Sequence, residues 1–297
     1  MNAIVRGLAA LIGLTLLATG ALAQDWKKLI TPGELEAIKS RVLILDIRLA
    51  RGDKTYNKGH IAGSVSAPYP LWRGPRNNPG QPLSDDALTM LLRTKGVTKA
   101  QPVVVAYQGA NPTDFGAAAR VYWTLKSAGV ERIAILNGGI ENWVRRGFDL
   151  TDEAAAPNPS QITASLSPQW MASKKDIRAI TSGRIDGTLV DARPNAFLKG
   201  KKKHPAAKAA GTLKGATQFV HSDWFAGDRG GLPPVNGLLD KYRKPEGSGP
   251  IVSFCNTGHW AATNWFMMSE IQGLPDVKLY PESMVGWTND GGRVVTQ

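Results

Sequence analysis

The chain has 297 residues, with 36 Lys and Arg against 24 Asp and Glu, four His and a single Cys. An apolar fraction of 42% with 20% charged residues can bury a large core, which excludes a disordered chain, and the length favours two domains. One Cys excludes an internal disulfide framework and a multi-thiolate zinc site, while the formal charge of +12 leaves nucleic acid, anionic membranes and small anions open as partners.

Residues 1–23 read as a cleavable signal peptide. Arg6 supplies a positive start, Gly7 to Leu17 is an apolar run, and Ala21-Leu-Ala23 is a small-x-small cleavage pattern before Gln24. The run is shorter than the roughly 20 apolar residues of a spanning helix, and Asp25 and Lys27 follow it. The expectation is a periplasmic or secreted protein without stable membrane insertion after cleavage. In that oxidising setting an unpaired Cys255 is a liability unless it is buried or used.

The next segment, 24–150, forms a first unit. Arg41-Val-Leu-Ile-Leu-Asp46, Gln101-Pro-Val-Val-Val-Ala-Tyr107 and Arg132-Ile-Ala-Ile-Leu136 are short continuous apolar runs, the mark of strands buried on both faces. Between the last two, 117–128 has helical spacing, with Ala118, Val121, Tyr122 and Leu125 on one face and Gly129 at the C-terminal cap position. Strands alternating with helices predict a parallel α/β sheet. His60, in Gly59-His-Ile-Ala-Gly63, reads as a residue bonding the backbone of its own loop. Residues 151–168, with three Pro and few large apolar side chains, have linker composition.

Residues 169–297 restate the pattern. Gly187-Thr-Leu-Val-Asp191 matches the first strand, and both strands end in Asp-x-Arg, at Asp46-Ile-Arg48 and Asp191-Ala-Arg193. Pro250-Ile-Val-Ser-Phe254 repeats the middle strand, 261–266 parallels 118–123, and Leu279 to Trp287 parallels Leu136 to Trp143. Two copies suit paired domains rather than a solenoid. The copies differ after the middle strand. The second runs through Cys255-Asn-Thr-Gly-His-Trp260 straight into a helix, whereas the first continues Tyr107-Gln-Gly-Ala-Asn-Pro-Thr, with no thiol and an expected longer loop. A short loop closing onto a helix aims N–H groups at one point and would hold Cys255 as a reactive thiolate. The alternative is a buried, inert Cys at a strand end.

The tandem organisation, Asp46-Ile-Arg48, Gly59-His-Ile-Ala-Gly63, Leu136-Asn-Gly-Gly-Ile-Glu-Asn-Trp143 and the Cys255 loop resemble the rhodanese sulfurtransferases. The resemblance implies an α/β fold of two rhodanese-like domains, each a mainly parallel sheet flanked by helices, the first without a catalytic Cys. It implies Cys255 as nucleophile toward the sulfane sulfur of thiosulfate or the sulfur of 3-mercaptopyruvate. A persulfide would then pass its sulfur to cyanide, a thiol or a protein acceptor, with no metal or other cofactor. The substrate loop would be Asn256, Thr257, Gly258, His259, Trp260 and Ala261. The family's usual cation beyond the Asp-x-Arg strand falls near Ala196-Phe197, where this chain has none, leaving Arg193 and Lys199 as candidates to steer the anion. Arg193 also reads as a structural partner of Asp191, and the lysines at 199–203 as solvated surface. His259 could steer an anion, donate a proton or face solvent, and Trp260 could wall the pocket or pack in the core.

Other chemistry finds no support in the residues. A Cys-based phosphatase needs an Arg six positions after the nucleophile, where this chain has Ala261. Gly138-Gly139 and Gly230-Gly231 read as turns outside any phosphate-binding motif, and no nucleic-acid motif accompanies the basic charge. The alternatives to a sulfurtransferase are a non-catalytic rhodanese-like binding module and a persulfide carrier for a dedicated partner.

Overall fold

The computed structural model describes residues 26–226, 237–239, 241–243 and 248–297. The signal peptide expected at 1–23 and the turn expected at Gly230-Gly231 lie outside the described residues. In the first half the elements run β1 (Leu29–Ile30), α1 (Pro32–Ile38), β2 (Leu43–Asp46), β3 (Val65–Ser66), α2 (Asp85–Thr94), β4 (Val103–Ala106), α3 (Pro112–Ser127), β5 (Ile133–Leu136) and α4 (Gly139–Arg145). The second half runs α5 (Lys174–Thr181), β6 (Thr188–Asp191), α6 (Asn195–Leu198), β7 (Thr217–Gln218), β8 (Ile251–Phe254), α7 (Trp260–Trp265), β9 (Val277–Leu279) and α8 (Ser283–Asn289).

Each half builds its own sheet, and every pairing between named strands is parallel. The orders are β1-β5-β4-β2-β3 and β7-β6-β8-β9. A single parallel bridge from Met171 to Leu279 puts the chain entering the second half where β1 lies in the first, so the two topologies agree.

The continuous apolar strands follow from burial on both faces. Val103 and Val105 of β4 enter one core, while Val104 and Ala106 enter another on the opposite face. In β8, Ile251 points to the first of these cores, and Val252 and Phe254 to a third, outer one. The first core is shared. It joins Phe115, Val121 and Tyr122 of α3 to Ala261, Ala262 and Trp265 of α7. The Phe115 and Phe266 rings meet edge to face at 5.6 Å, and those of Tyr122 and Phe266 at 4.9 Å. Polar contacts fasten the same seam: the Tyr122 hydroxyl donates to Glu270 Oε2 at 2.7 Å, and Lys126 pairs with Glu270 at 2.8 Å.

Helix α3 begins five residues before the expected 117, and this removes the expected difference in loop length. Asn111 caps it by accepting from the Asp114 N–H at 3.1 Å, and Pro112 occupies the first turn, where its missing N–H costs nothing. The loops at 107–111 and 255–259 are therefore the same length, and the copies differ in side chains. The linker is packed rather than loose. Arg93 Nε donates to the Ile162 carbonyl at 2.7 Å, Thr89 bonds both backbone groups of Ala164, and Ile162 and Ala164 are buried. His60 is fully buried, with ring nitrogens 2.8 Å from the Tyr56 carbonyl and 3.0 Å from the Glu153 carbonyl, tying its loop to the linker.

Candidate active site

Cys255 follows the last residue of β8 and is 1% exposed. The loop it opens is held from below by Ser283, the first residue of α8. Ser283 Oγ accepts from the Cys255 N–H at 3.0 Å and the Gly258 N–H at 3.1 Å, and donates to the Tyr280 carbonyl at 2.8 Å. Its backbone adopts φ +51°, a left-handed conformation uncommon for a side-chain-bearing residue, which these three bonds help hold. From the same helix Met284 N–H donates to the Cys255 carbonyl and Val285 N–H to the Asn256 carbonyl, both at 3.0 Å. Two of the loop's amides therefore serve a hydroxyl. Among the described residues, those of Asn256, Thr257, His259 and Trp260 meet no acceptor. Gly258 turns the loop at φ +67°, and an added Cβ there would lie 2.3 Å from both Arg120 Nη1 and the Pro281 carbonyl oxygen. Replacing Ser283 by Ala leaves two buried N–H groups without an acceptor. At about 1–3 kcal/mol for each unsatisfied group, the Ser283→Ala protein should lose about 2–6 kcal/mol of stability. Urea unfolding would check this, and a loss below half a kcal/mol would show that other groups hold the loop.

The first domain closes the site from the other side. Tyr69 hydroxyl lies 2.9 Å from His259 Nδ1, and His259 Nε2 lies 2.7 Å from the Thr113 carbonyl oxygen. A carbonyl can only accept, so Nε2 carries the proton and Nδ1 accepts from Tyr69. Arg73 Nη1 donates to the Tyr69 hydroxyl at 2.7 Å. Arg120 is buried, with Nη2 3.0 Å from the Gly80 carbonyl and Nη1 3.4 Å from the Gly258 carbonyl; its Nε finds no partner among the described residues. Burial, with Arg73 as a second cause, lowers the Arg120 pKa to about 9.

This arrangement decides between the open readings of His259 and Arg193, against a steering role for either. His259 is no charged steering group: desolvation at the interface, then Arg73, lower its pKa to about 3, so the ring is neutral at neutral pH. Arg193 is not a steering cation either. It is 1% exposed, its Nε and Nη2 fork onto Asp191 at 2.9 and 2.6 Å, and Nη2 also meets the Gly211 carbonyl at 2.9 Å. Its Nη1 reaches Asn256 Oδ1 at 3.4 Å, so it braces the loop. Arg48 repeats the same fork on Asp46 in the first domain. Lys199 is exposed at the end of α6. Trp260 is half-buried and walls the site, stacked on His221 at 4.6 Å and edge-on to Phe197, with Nε1 3.2 Å from Thr113 Oγ1. Asn256 and Thr257 are buried at the loop, and Ala261 packs in the shared core.

His221 is buried, and desolvation lowers its pKa to about 4. Both rings stay neutral in the folded protein, whereas in the unfolded chain they protonate near pH 6.5. As pH falls from about 6.5 toward 4, the unfolded state gains protons that the folded state refuses, so stability present at pH 7 declines through that window. Melting temperature should fall across it, while the rate profile shows no inflection from His259. An inflection near pH 6.5 that disappears in His259→Gln would contradict the neutral ring.

Ser283, Tyr69, Arg73, Thr113 and Arg120 escaped the sequence reading. Only Arg120 left a trace, as a charged residue inside the apolar run Ala118, Ala119, Val121, Tyr122, Trp123. No cluster of His, Cys, Asp and Glu suited to a metal occurs among the described residues, and no helix among them is long and apolar enough to cross a membrane.

Comparison with known proteins agrees with the tandem α/β fold. The rhodanese-like domain family matches the chain twice, over residues 31–146 and 170–290. Human 3-mercaptopyruvate sulfurtransferase is 27% identical over 197 residues, covering 65% of this chain and 64% of that protein, just under two thirds of its length. SseB of Mycobacterium tuberculosis, whose name gives it a provisional thiosulfate sulfurtransferase activity, is 28% identical over 280 residues, 90% of this chain and 96% of that protein. Among solved structures, SseA of Escherichia coli, described as a 3-mercaptopyruvate sulfotransferase, superposes with a TM-score of 0.73 at 22% identity over 86% of this chain and 98% of its own. An anaerobic ergothioneine biosynthesis enzyme of Chlorobium limicola does so at 0.75 and 18% identity, over 91% and 70%. At these identities the two structures speak for the fold.

Proposed function

Because the chain belongs to the rhodanese family and carries its domain twice, we propose that it is a sulfurtransferase that moves sulfane sulfur through a Cys255 persulfide. The observation that carries this reading is the position of the chain's single Cys. It opens a five-residue loop at the end of a central strand, with backbone amides free of other acceptors, opposite two guanidinium groups of the other domain. The names of the relatives support thiosulfate or 3-mercaptopyruvate as donor.

In the thiosulfate reaction the Cys255 thiolate attacks the outer sulfur. A new S–S bond forms as the old one breaks, and sulfite leaves with the bonding pair. The loop amides stabilise the persulfide anion, which needs donors at its terminal sulfur. Cyanide or a thiolate then takes that sulfur and regenerates the Cys255 thiolate. Trp260, Phe197 and His221 exclude water from the mouth. No metal or other cofactor takes part. Cleavage of the expected signal peptide before Gln24 would put this activity outside the cytoplasm, and N-terminal sequencing of protein from fractionated cells checks that part.

The test is the intact mass of the purified protein before and after thiosulfate or 3-mercaptopyruvate. A gain of one sulfur atom, removed by cyanide, is expected. With neither donor adding sulfur, Cys255 would be a packed core residue and the protein a rhodanese-like binding module. A persulfide that forms but resists cyanide and small thiols would make it a carrier for a dedicated protein partner.

A further inference from the structure

Among the described residues, the second domain places no free cation at its own nucleophile. Arg193 is spent on Asp191, and the lysines at 199, 201 and 202 are exposed. The positive charge at the loop comes instead from the domain without the thiol. Arg73, half-buried, is anchored through the Tyr69 hydroxyl to His259 in the loop, and its guanidinium also lies over the Tyr69 ring, 5.1 Å from the centroid. Arg120 is held behind the loop by two carbonyl oxygens and the face of Trp123, 4.9 Å away, with Nε unpartnered. Among the described residues neither guanidinium has a carboxylate partner, although buried charges are normally paired.

We propose that Arg73 of the first domain binds the anionic head group of the sulfur donor, with buried Arg120 positioning the Cys255 loop and adding to the positive field there. The inference rests on the sulfurtransferase reading and names the donor's recognition. The shared chemistry is a small acid carrying the transferable sulfur: a sulfonate-type head in thiosulfate, or a carboxylate in 3-mercaptopyruvate. Such an anion supplies the negative charge that the two guanidiniums lack, and Arg73 also meets the charge that grows on departing sulfite. The arrangement explains why a first domain with no nucleophile remains part of the site. Its α3 carries Thr113 and Arg120, and the turn after β3 carries Tyr69 and Arg73. Gly116 of α3 keeps the approach open, since a Cβ there would lie 2.9 Å from the His259 ring.

The experiment compares the wild-type protein with Arg73→Met, which keeps the length and removes the charge, and Arg73→Lys, which keeps the charge. The first readout is alkylation of Cys255 by iodoacetate and by iodoacetamide at one pH and ionic strength. In both cases the thiolate attacks the methylene carbon, a C–S bond forms and iodide leaves, so the reagents differ mainly in the carboxylate. Arg73→Met should lower the iodoacetate-to-iodoacetamide rate ratio by about tenfold, with Arg73→Lys recovering part of it. The second readout is turnover. Loss of one charge-assisted contact should raise KM for the anionic donor by about ten- to a hundredfold, with sulfur release from a preformed persulfide to cyanide much less affected. A larger KM effect for thiosulfate than for 3-mercaptopyruvate would assign the subsite to the sulfur oxyanion, and the reverse to the carboxylate. An unchanged alkylation ratio in folded Arg73→Met overturns the proposal. If wild type takes no sulfur while the ratio still falls, the sulfurtransferase reading fails and the anion site stands.

Discussion

Replacing Cys255 by serine is expected to abolish sulfur transfer, by on the order of a thousandfold or more, while leaving the fold intact. The hydroxyl is nearly isosteric, and the site's main supports do not use the sulfur: Ser283 holds the backbone N–H groups of Cys255 and Gly258, and α8 holds the Cys255 and Asn256 carbonyls. Chemistry changes completely, because a serine alkoxide is inaccessible near neutral pH and does not accept sulfane sulfur as a thiolate does. Three measurements go together: turnover, the mass gained with thiosulfate, and the urea midpoint. Residual turnover within tenfold of wild type would move the nucleophile elsewhere. Loss of turnover together with a collapsed urea midpoint would show only that the residue packs.

Severing the two domains should cost nearly as much activity as removing the thiol. The isolated segment 169–297 would keep Cys255 and Ser283 and lose every first-domain group at the loop: Tyr69, Arg73, Thr113 and Arg120. It would also uncover the shared core. Trp265 and Phe266, both fully buried in the whole chain, would lose the covering rings of Phe115 and Tyr122, at up to about 1.5–3 kcal/mol for each large side chain. Loss of the Tyr122–Glu270–Lys126 contacts would leave the Glu270 carboxylate without its interdomain partners. Against a typical total of about 5–15 kcal/mol, that is a large part of one domain's stability. The fragment should aggregate or melt early and turn over at least about a hundredfold more slowly. A soluble, cooperatively folding fragment with full turnover would refute the composite site.

Much of this molecule was legible before any coordinates. The apolar runs ending at Asp46, Tyr107, Leu136, Asp191 and Phe254 announced strands buried on both faces, because a strand flanked by two cores has no polar side to alternate with. Recurrence of Asp-x-Arg and of the Leu-to-Trp segments exposed the duplication, and the lone thiol at a strand end singled out Cys255. These signals are local: each depends on neighbours within one element or one loop. The start of helix α3 is not legible locally, since Pro112 reads as loop in isolation but serves as a first-turn residue once Asn111 caps it.

What the tertiary structure alone decided was how the site is shared and charged. His259 looks like a titrating group until the first domain packs over it, with Tyr69 190 positions away and Thr113 146 away, and desolvation and then Arg73 keep the ring neutral. Arg193 looks like a free cation until Asp191 and the Gly211 carbonyl take its fork. Ser283 has no motif, yet its hydroxyl supports the loop from a chain distance of 28 residues. Charge, protonation and hydrogen-bond partners depend on what lies across a packed interface, and nothing in the local pattern of Arg73 or Arg120 says that α3 and the turn after β3 will lie against the other domain's Cys255 loop.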